Sequence, residues 1–339
     1  MTLRFRRLLP VLLAIALALL GAAPLCAAEA EPAPLAARAL LLDGQVVGDR
    51  LVAVGERGHI LISSDSGRSW RQSQVPTRTT LTSVFFVDGQ QGWAAGHDAT
   101  ILRTRDGGES WQLVHADPDL DAPILDLWFR DAGDGLAVGA YGLALVTTDG
   151  GASWQAQPLA VTASPPPPAD ALLDDADTPG LDLHLNQLRA TPAGRLYLAG
   201  ERGHLFRSDD GGRHWATLPF PYVGSLFGTL PLDEHRVLAF GLRGHLFHSA
   251  DGGRHWQAVE TGTDATLNDA ILLRDGRIVA VGLAGTVLIG EAGAARYDLH
   301  PQADRAGFAR VLEAPDGALV LLGAQGARRL DVPPTGAPR

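Results

Sequence analysis

Short apolar runs separated by glycine- and aspartate-rich turns recur along the chain from about residue 40 to residue 332. In the stretch 81–114 the runs are LTSVFFV, GWAAG, TILRT and SWQLV, and the turns between them include DGQQ, HDA and RDGGE. Runs of this length, bounded by turn residues, predict four β-strands, whereas helical periodicity is scarce. The pattern therefore predicts an all-β protein.

The four-strand unit is repeated along the chain. The glycine that ends the second run of each unit recurs with spacings of 41, 43, 61, 41, 41 and 41 residues. Seven short-stranded units with a period near 41 residues predict a seven-bladed β-propeller of four-stranded antiparallel blades. The seven glycines are Gly55, Gly96, Gly139, Gly200, Gly241, Gly282 and Gly323.

A second motif, S/T-x-D-x-G-x-x-W, stands near the end of the first five units. We expect each aspartate to accept hydrogen bonds from the backbone of its own turn, and each tryptophan to be buried between neighbouring sheets. The turns lack the alternating oxygen ligands of a calcium loop, so no metal is expected. In the sixth unit Tyr297 replaces the tryptophan and Ala292 the aspartate. The five aspartate and tryptophan pairs are Asp65 and Trp70, Asp106 and Trp111, Asp149 and Trp154, Asp210 and Trp215, and Asp251 and Trp256.

Residues 1–28 have the three parts of a secretory signal, namely a basic head (MTLRFRR), an apolar run (8–20) and a tail of small residues. Cleavage after Ala28 or Ala30 and retention as an anchor are the two alternatives. We expect export to a periplasm or a lumen-like compartment, with the protein either free or membrane-associated. Residues 29–339 are then one propeller. Because the seventh unit has only three strands, we expect the residues before about 40 to supply its fourth strand.

The third and fourth units are separated by an insertion at about 157–182 that is rich in proline and acidic residues. This composition predicts a solvent-exposed loop without a core-forming pattern. It is either a tolerated insertion or an arm that contacts a partner.

The turns between strands two and three should lie on one face of the propeller, together with the connections between blades. Three arginines share one offset in these turns, and in a protein of net charge −10 they suggest a site for a carboxylate or an acidic peptide. The alternative is that Glu56 and Glu201 neutralise the arginines beside them. The residues predicted for this binding face are Arg57, Asp98, Tyr141, Asn186, Arg202, Tyr222, Ser225 and Arg243.

The aspartate motif is the Asp-box, or BNR repeat. Its combination with the G-x-x-G turn, repeated behind a secretory signal, resembles the photosystem II stability/assembly-factor family and its relatives in non-photosynthetic bacteria. The resemblance covers about residues 40–332. It implies a monomeric, cofactor-free scaffold for a membrane protein complex or its unassembled subunit, either photosystem II-like or an envelope exporter.

The main alternative to a scaffold is a sialidase-like glycoside hydrolase, in which the arginines would hold the substrate carboxylate. Such an enzyme needs a tyrosine nucleophile beside a glutamate. Of the four tyrosines, Tyr197 lies in a predicted strand and Tyr297 in the unit that has lost the aspartate motif, which leaves Tyr141 and Tyr222. No nucleophile elbow, P-loop or HExxH motif is present, so we expect no catalytic residue. The acidic balance also argues against a nucleic-acid partner.

Overall fold

A computed structural model describes residues 28–162 and 182–332. The predicted signal up to residue 27, residues 163–181 of the insertion and residues 333–339 lie outside the described residues. The described chain forms seven small sheets, each of which carries an antiparallel meander, and this confirms the predicted seven-bladed β-propeller. No helix in these described ranges is long and apolar enough to cross a membrane.

Each blade is a meander in which consecutive strands are neighbours. Blade one contains β1 (Leu41–Val47), β2 (Arg50–Gly55), β3 (Ile60–Ser63) and β4 (Arg71–Gln72); blade two contains β5 (Leu81–Phe86), β6 (Gly92–Gly96), β7 (Ile101–Thr104) and β8 (Gln112–His115). Blade three contains β9 (Ile124–Phe129), β10 (Gly135–Gly139), β11 (Ala144–Thr147) and β12 (Gln155–Ala156). After β13 (Val161–Thr162), blade four contains β14 (Leu185–Ala190), β15 (Leu196–Gly200), β16 (Leu205–Ser208) and β17 (Trp215–Thr217).

The last three blades follow the same plan. Blade five contains β18 (Leu226–Pro231), β19 (Val237–Gly241), β20 (Leu246–Ser249) and β21 (Gln257–Val259); blade six contains β22 (Leu267–Leu272), β23 (Arg277–Gly282), β24 (Val287–Glu291) and β25 (Asp298–Leu299). Blade seven contains β26 (Phe308–Glu313), β27 (Leu319–Gly323) and β28 (Gly326–Leu330). Short 3₁₀ segments lie at Ala36–Arg38, Glu56–Gly58, Pro118–Leu120, Ala140–Gly142 and Leu242–Gly244.

The first strands of the blades surround a central channel, and each packs beside the first strand of the next blade. The ring closes where β26 packs against β1. The second strands are flanked by strands on both sides and by neighbouring blades on both faces. Every residue of β6 and β19 is therefore buried, which explains the unbroken apolar runs GWAAG and VLAFG.

Six of the seven junctions between blades contain a large aromatic side chain from the outer part of one blade, whereas the junction between blades six and seven is packed mainly by aliphatic side chains. Trp111 lies in the cluster between blades one and two, Trp215 in that between three and four, and Tyr297 in that between five and six. A buried aromatic covers roughly 150–250 Å², so these rings are major contributors to the junctions. Trp154 packs similarly, and Trp70 and Trp256 are partly buried in theirs. The expected burial is found for Trp111, Trp154 and Trp215 and only in part for Trp70 and Trp256. Tyr297, which replaces the tryptophan of the sixth unit, is also buried.

The aspartate turns lie at the ends of the third strands and are held by a repeated set of hydrogen bonds. In blade two, Asp106 Oδ1 accepts from the Thr104 hydroxyl (2.8 Å) and from the Ser110 N–H (3.0 Å). The Thr104 hydroxyl also accepts from the Gly108 N–H (2.9 Å). The predicted bonds to the backbone of the turn are thus present. Asp65, Asp149, Asp210 and Asp251 make the same bonds in their own blades.

The N-terminal segment does not pair with blade seven. The Ala30 N–H donates to the Val75 carbonyl (2.8 Å), and the Ala33 N–H donates to Oε1 of Gln72 (2.9 Å). The segment therefore runs along the outer edge of blade one, and the described residues of blade seven form a sheet of three strands. The prediction that this segment supplies the fourth strand of blade seven is wrong.

Two prolines explain this difference. Pro32 and Pro34 lack the N–H groups that a regular ladder requires. The chain instead forms the 3₁₀ segment Ala36–Arg38, which packs against β28 with Ala36 buried. The segment thereby seals the junction between blades seven and one without completing a sheet.

The insertion begins with ordered structure. β13 pairs in parallel with β17, and the Thr162 hydroxyl donates to the Trp215 carbonyl (3.1 Å). Leu159 and Val161 pack against the core between blades three and four. The described start of the insertion is therefore a fifth strand on blade four, where the sequence predicted only a loop.

Candidate functional site

The turns between the second and third strands have one shape in six blades. The third residue of each turn has a left-handed backbone, with φ of 54° to 57°. In five of these turns a glycine follows, and it lies against the connection to the next blade, because a Cβ on Gly203 would collide with the Tyr222 carbonyl. We call the end of the propeller formed by these turns and connections the turn face. The turn residues are Arg57, Asp98, Tyr141, Arg202, Arg243 and Ala284.

The three arginines of the turn face are exposed and carry their charge to solvent. Their guanidinium groups make no hydrogen bond or ion pair with another residue of 28–162 or 182–332. Blades four and five are neighbours, because β18 packs on β14 and β15. Arg202 and Arg243 therefore lie on adjacent blades, and Arg57 lies on the far side of the ring.

The glutamates beside two of these arginines have other partners. Glu56 accepts a hydrogen bond from the Leu40 N–H (3.3 Å). Glu201 accepts one from the His184 N–H (3.0 Å), and its other oxygen lies 3.6 Å from Nδ1 of the same histidine. Neutralisation of the arginines by the adjacent glutamates is therefore not observed in the described structure.

Aromatic rings stand between the arginine-bearing turns. Tyr141 is 62% exposed and meets the His184 ring edge-on, with 5.1 Å between centroids. Tyr222 is half-buried against His245, at 4.2 Å. Neither tyrosine hydrogen-bonds to a glutamate among the described residues. The arrangement of a glycosidase tyrosine nucleophile is therefore not formed by these two side chains in the described structure.

Two residues predicted for the binding face lie deeper than the turns. The Asn186 side chain donates to the Leu226 carbonyl (2.8 Å) and lines the central channel. Ser225 is half-buried, and its carbonyl accepts from the Leu242 N–H (3.1 Å). Asn186 thus links blades four and five, while Ser225 holds the connection beneath the turn of blade five.

The central channel contains a cavity of about 380 Å³ at the end nearer the turn face. Its wall comes from the first residues of the innermost strands, where the connections enter the blades. The lining is mixed, with apolar, amide and charged side chains. It consists of Leu42, Asp43, Thr82, Leu125, Asp126, His184, Asn186, Gln187, Arg189, Phe227, Asn268, Ala309 and Arg310.

Five charged side chains meet in this channel. Arg310 Nε lies 3.0 Å from Asp43 Oδ1, and its Nη1 donates to Asp269 Oδ1 at 3.1 Å. Arg189 lies 3.4 Å from Asp126 Oδ2 and 3.6 Å from Asp269 Oδ1. Three buried carboxylates therefore share two guanidinium groups. We call these five residues the channel cluster.

The three aspartates of the channel cluster, together with Gln187, also link consecutive blades by hydrogen bonds to the backbone. In four blades an acidic or amide side chain accepts from an N–H on the first strand of the next blade. The pairs are Asp43 with Val84, Asp126 with Leu188, Gln187 with Thr229 and Asp269 with Val311, at 2.8 to 3.0 Å. In blade two the Ser83 hydroxyl donates to Asp126 at 2.6 Å instead. The cluster is therefore a structural belt around the channel.

Burial is the largest influence on the pKa values of the three aspartates of the channel cluster. It raises the pKa of Asp269 to about 7, although the charge of Arg189 opposes this shift. Burial also raises the pKa of Asp43 and Asp126. The aspartate turns behave in the opposite way, because the Ser153 hydroxyl and then the Ser153 N–H hold the pKa of Asp149 at about 2.

Sequence reasoning missed the channel cluster, although a signal was present. The third residues of the first strands read D, S, D, Q, G, D and R from blade one to blade seven, and four of them line the cavity, namely Asp43, Asp126, Gln187 and Arg310. A polar residue recurring inside an otherwise apolar strand indicates a buried polar ring. No group of three or more potential metal ligands is found within the described ranges.

Comparisons with known proteins agree with the resemblance carried by the repeat. A family model described as photosynthesis system II assembly factor YCF48 matches residues 62–119. Photosystem II assembly protein Ycf48 of Thermosynechococcus vestitus is 42% identical over 43 residues, or 13% of this chain and 12% of the relative. The chloroplastic photosystem II stability/assembly factor HCF136 of Cyanidioschyzon merolae is 33% identical over 81 residues, or 22% of this chain and 18% of the relative. The chain thus aligns with less than a fifth of the length of these curated relatives.

Solved structures match over most of the ring. A structure of YCF48 bound to D1 peptide has a TM-score of 0.68 at 19% identity, and the match covers 88% of this chain and 95% of that one. YCF48 from Cyanidioschyzon merolae has a TM-score of 0.66 at 17% identity, over 88% and 96% of the two chains. The WD40 propeller of Doa1 reaches 0.63 at 13% identity, over 90% and 95%, so likeness at this level reports the fold alone.

The class of protein follows from the repeat, the ring and these matches together. The chain is a seven-bladed β-propeller similar to the photosystem II assembly factors, as its repeat predicted. The relatives that match in sequence are named as assembly proteins and not as enzymes.

Proposed function

We propose that this chain is an exported, non-enzymatic assembly or stability factor for a membrane protein complex. It binds an extended, acidic segment of an unassembled subunit at the turn face. The complex is photosystem II-like in a photosynthetic host and an envelope complex such as an exporter in another bacterium. Residues 1–28 direct export, and the protein acts as a monomer without a cofactor.

The observation that carries this proposal is the set of three arginines that have no ion-pair partner among the described residues. Arg57, Arg202 and Arg243 are exposed on one face of a protein whose net charge is −10. A guanidinium group offers a planar fork of N–H donors that matches a carboxylate, and it keeps its charge at any physiological pH. Three such groups around the mouth of a channel favour a ligand that presents several carboxylates.

Two further observations support the proposal. A similar propeller, YCF48, has been solved with a D1 peptide bound, so peptide binding has a precedent on this fold. The exposed ring of Tyr141 adds an apolar contact beside the charged turns. Rings of this kind are frequent in protein interfaces, because they combine a large contact area with few rotatable bonds.

Site-specific photo-crosslinking in the native host tests this proposal. A photoreactive phenylalanine analogue replaces Tyr141 or Arg202 on the turn face, and Arg213 on the opposite face serves as the control. We expect one membrane-protein subunit to crosslink from the first two positions and not from the control, and its identity shows which complex is served. Equal crosslinking from Arg213 would contradict the turn-face assignment, and a cytoplasmic fraction holding all of the protein would contradict export.

A further inference from the structure

Blade seven is the exception in the ring. Among the described residues it has three strands, while the other six blades have a fourth strand on the outer side of the third. In the part of the chain that the structure describes, no strand pairs with the outer edge of β28. β28 has five residues, whereas most of the other third strands have four. The outer hydrogen-bonding edge of this five-residue strand therefore has no partner strand among the described residues.

The backbone groups that point outward from β28 follow from the pairing of the blade. The Ala314 N–H donates to the Ala318 carbonyl (2.8 Å), and alternation along β27 then directs the odd-numbered residues 319, 321 and 323 towards β28. Their partners are the even-numbered residues of β28. The N–H and C=O groups of Ala327 and Arg329 therefore point outward, and no described residue hydrogen-bonds to them.

Several other blades cover their outermost strand. Gln74 of the first connection bridges to Ser110 of blade two, and Glu260 bridges to Arg296 of blade six. β13 covers β17 of blade four, and Ala30 lies on the outer side of blade one. An uncovered strand edge is a template for another strand, and proteins usually protect it. The outer edge of β28 differs from these covered strands, because its backbone groups are available to pair with another strand.

The surroundings of this edge define the chemistry of the occupant. Leu35, which is 65% exposed, immediately precedes the 3₁₀ segment that packs on β28. Arg38 ends that segment, is exposed and has no ion-pair partner among the described residues. An apolar side chain and an acidic side chain on the same strand would cover both.

We propose that the outer edge of β28 binds an extended segment of a partner protein as the missing fourth strand of blade seven. The segment runs antiparallel to β28, as the other fourth strands run to their third strands. Its backbone bonds to Ala327 and Arg329, while its side chains contact Leu35 and Arg38. Strand addition of this kind takes its affinity from main-chain hydrogen bonds and its selectivity from neighbouring side chains. The main-chain contacts of the site lie at the rim, on β28, and do not involve the turns that carry Arg57, Arg202 and Arg243.

A peptide with the sequence ESWQLVHAD is a suitable probe, because it copies the fourth strand of blade two (residues 109–117) and carries an acidic residue at each end. Fluorescence anisotropy of the labelled peptide measures binding to the full chain. Arg329→Pro removes the outward N–H, whereas Arg329→Ala keeps it and removes the side chain with its bonds to Asp316 and to the Ser66 carbonyl. We expect binding to weaken at least tenfold for Arg329→Pro relative to Arg329→Ala, and also for Arg38→Glu.

The unaltered protein provides a second measurement, which does not depend on how well a proline variant folds. Alternate N–H groups of the bound peptide point towards β28 and away from it. N-methylation of the set that points towards β28 should abolish binding, and N-methylation of the other set should leave binding unchanged. No binding by the wild type, equal binding by the two Arg329 variants, or equal effects of both methylated sets would overturn the proposal. Binding that appears only in a variant ending at Val332 would show that residues 333–339 occupy the edge, and would also overturn it.

Discussion

Arg310 of blade seven contacts Asp43 of blade one at 3.0 Å, across the junction where the last blade meets the first. The same guanidinium donates to Asp269 of blade six at 3.1 Å. One partly buried side chain, which is 17% exposed, therefore links three consecutive blades. The contact with Asp43 joins the last blade to the first, so Arg310 stabilises the closed ring.

The first prediction concerns that link. Arg310→Leu takes from buried Asp43 its ion-pair partner and leaves Asp269 only the longer contact with Arg189 (3.6 Å), and breaking a buried pair in this way costs about 3–5 kcal/mol. The control is Arg71→Leu, which removes an exposed pair with Glu109 (2.7 Å) and should cost less than about 1 kcal/mol. Denaturant unfolding measures both. Equal losses would mean that the channel cluster does not hold the ring together.

The second prediction concerns pH. The pKa of Asp269 rises from 3.8 to about 7 on folding, so the folded state binds a proton that the unfolded state releases. The resulting stability is complete below about pH 4 and is lost as the pH rises towards 7. Relative to Asp269→Asn, the free energy of unfolding of the wild type should therefore fall across this window, by at most about 1.4 kcal/mol per pH unit. Parallel curves for the two proteins would contradict it.

The third prediction separates the two faces. Asp251 accepts hydrogen bonds from the His255 N–H (2.9 Å) and the Arg254 N–H (3.0 Å) of its turn. Asp251→Ala should lower the melting temperature, because these N–H groups lose a charged acceptor, and leave peptide binding at the turn face unchanged. Thermal melts and anisotropy on the same preparations measure both. Lost binding with an unchanged melting temperature would mean that the faces are reversed.

The fourth prediction concerns the N-terminal segment. Ala36 is buried in the junction between blades seven and one, so Ala36→Asp places a charge in an apolar cluster. We expect limited proteolysis to cut this variant much faster than the wild type. Ala303→Asp, at an exposed alanine, is the matched control and should digest like the wild type. Similar digestion of both variants would show that the segment does not seal the ring.

Much of the fold could be predicted from the sequence because each blade of a propeller is stabilised by the same kinds of contact. Every copy of the motif around Asp106 needs the same turn bonds, and every copy of Trp111 fills the same kind of junction. Tyr297 could be assigned by its offset alone. The N-terminal segment could not, because its course depends on contacts with Gln72 and Val75 that no repeat encodes.

The candidate site was predictable in part. The exposed arginines share an offset, so their common position on one face followed from the period. Asn186 was expected at the rim but lines the channel, because a residue near the start of an innermost strand can face inward. The channel cluster escaped notice because its partners lie on different blades, and the contacts of Arg189 with Asp126 and Asp269 join residues more than 60 positions apart.

The most direct test of the account compares charge reversal on the two faces of the same blades. Arg202→Glu with Arg243→Glu changes the turn face, and Arg213→Glu with Arg254→Glu changes exposed arginines of the aspartate turns. Binding of a labelled D1 peptide and of an acidic model peptide is measured by anisotropy at low and at raised salt. We predict at least a tenfold loss for the turn-face pair, little change for the opposite pair, and weaker wild-type binding at raised salt. A folded turn-face variant that binds as tightly as the wild type would contradict the central claim.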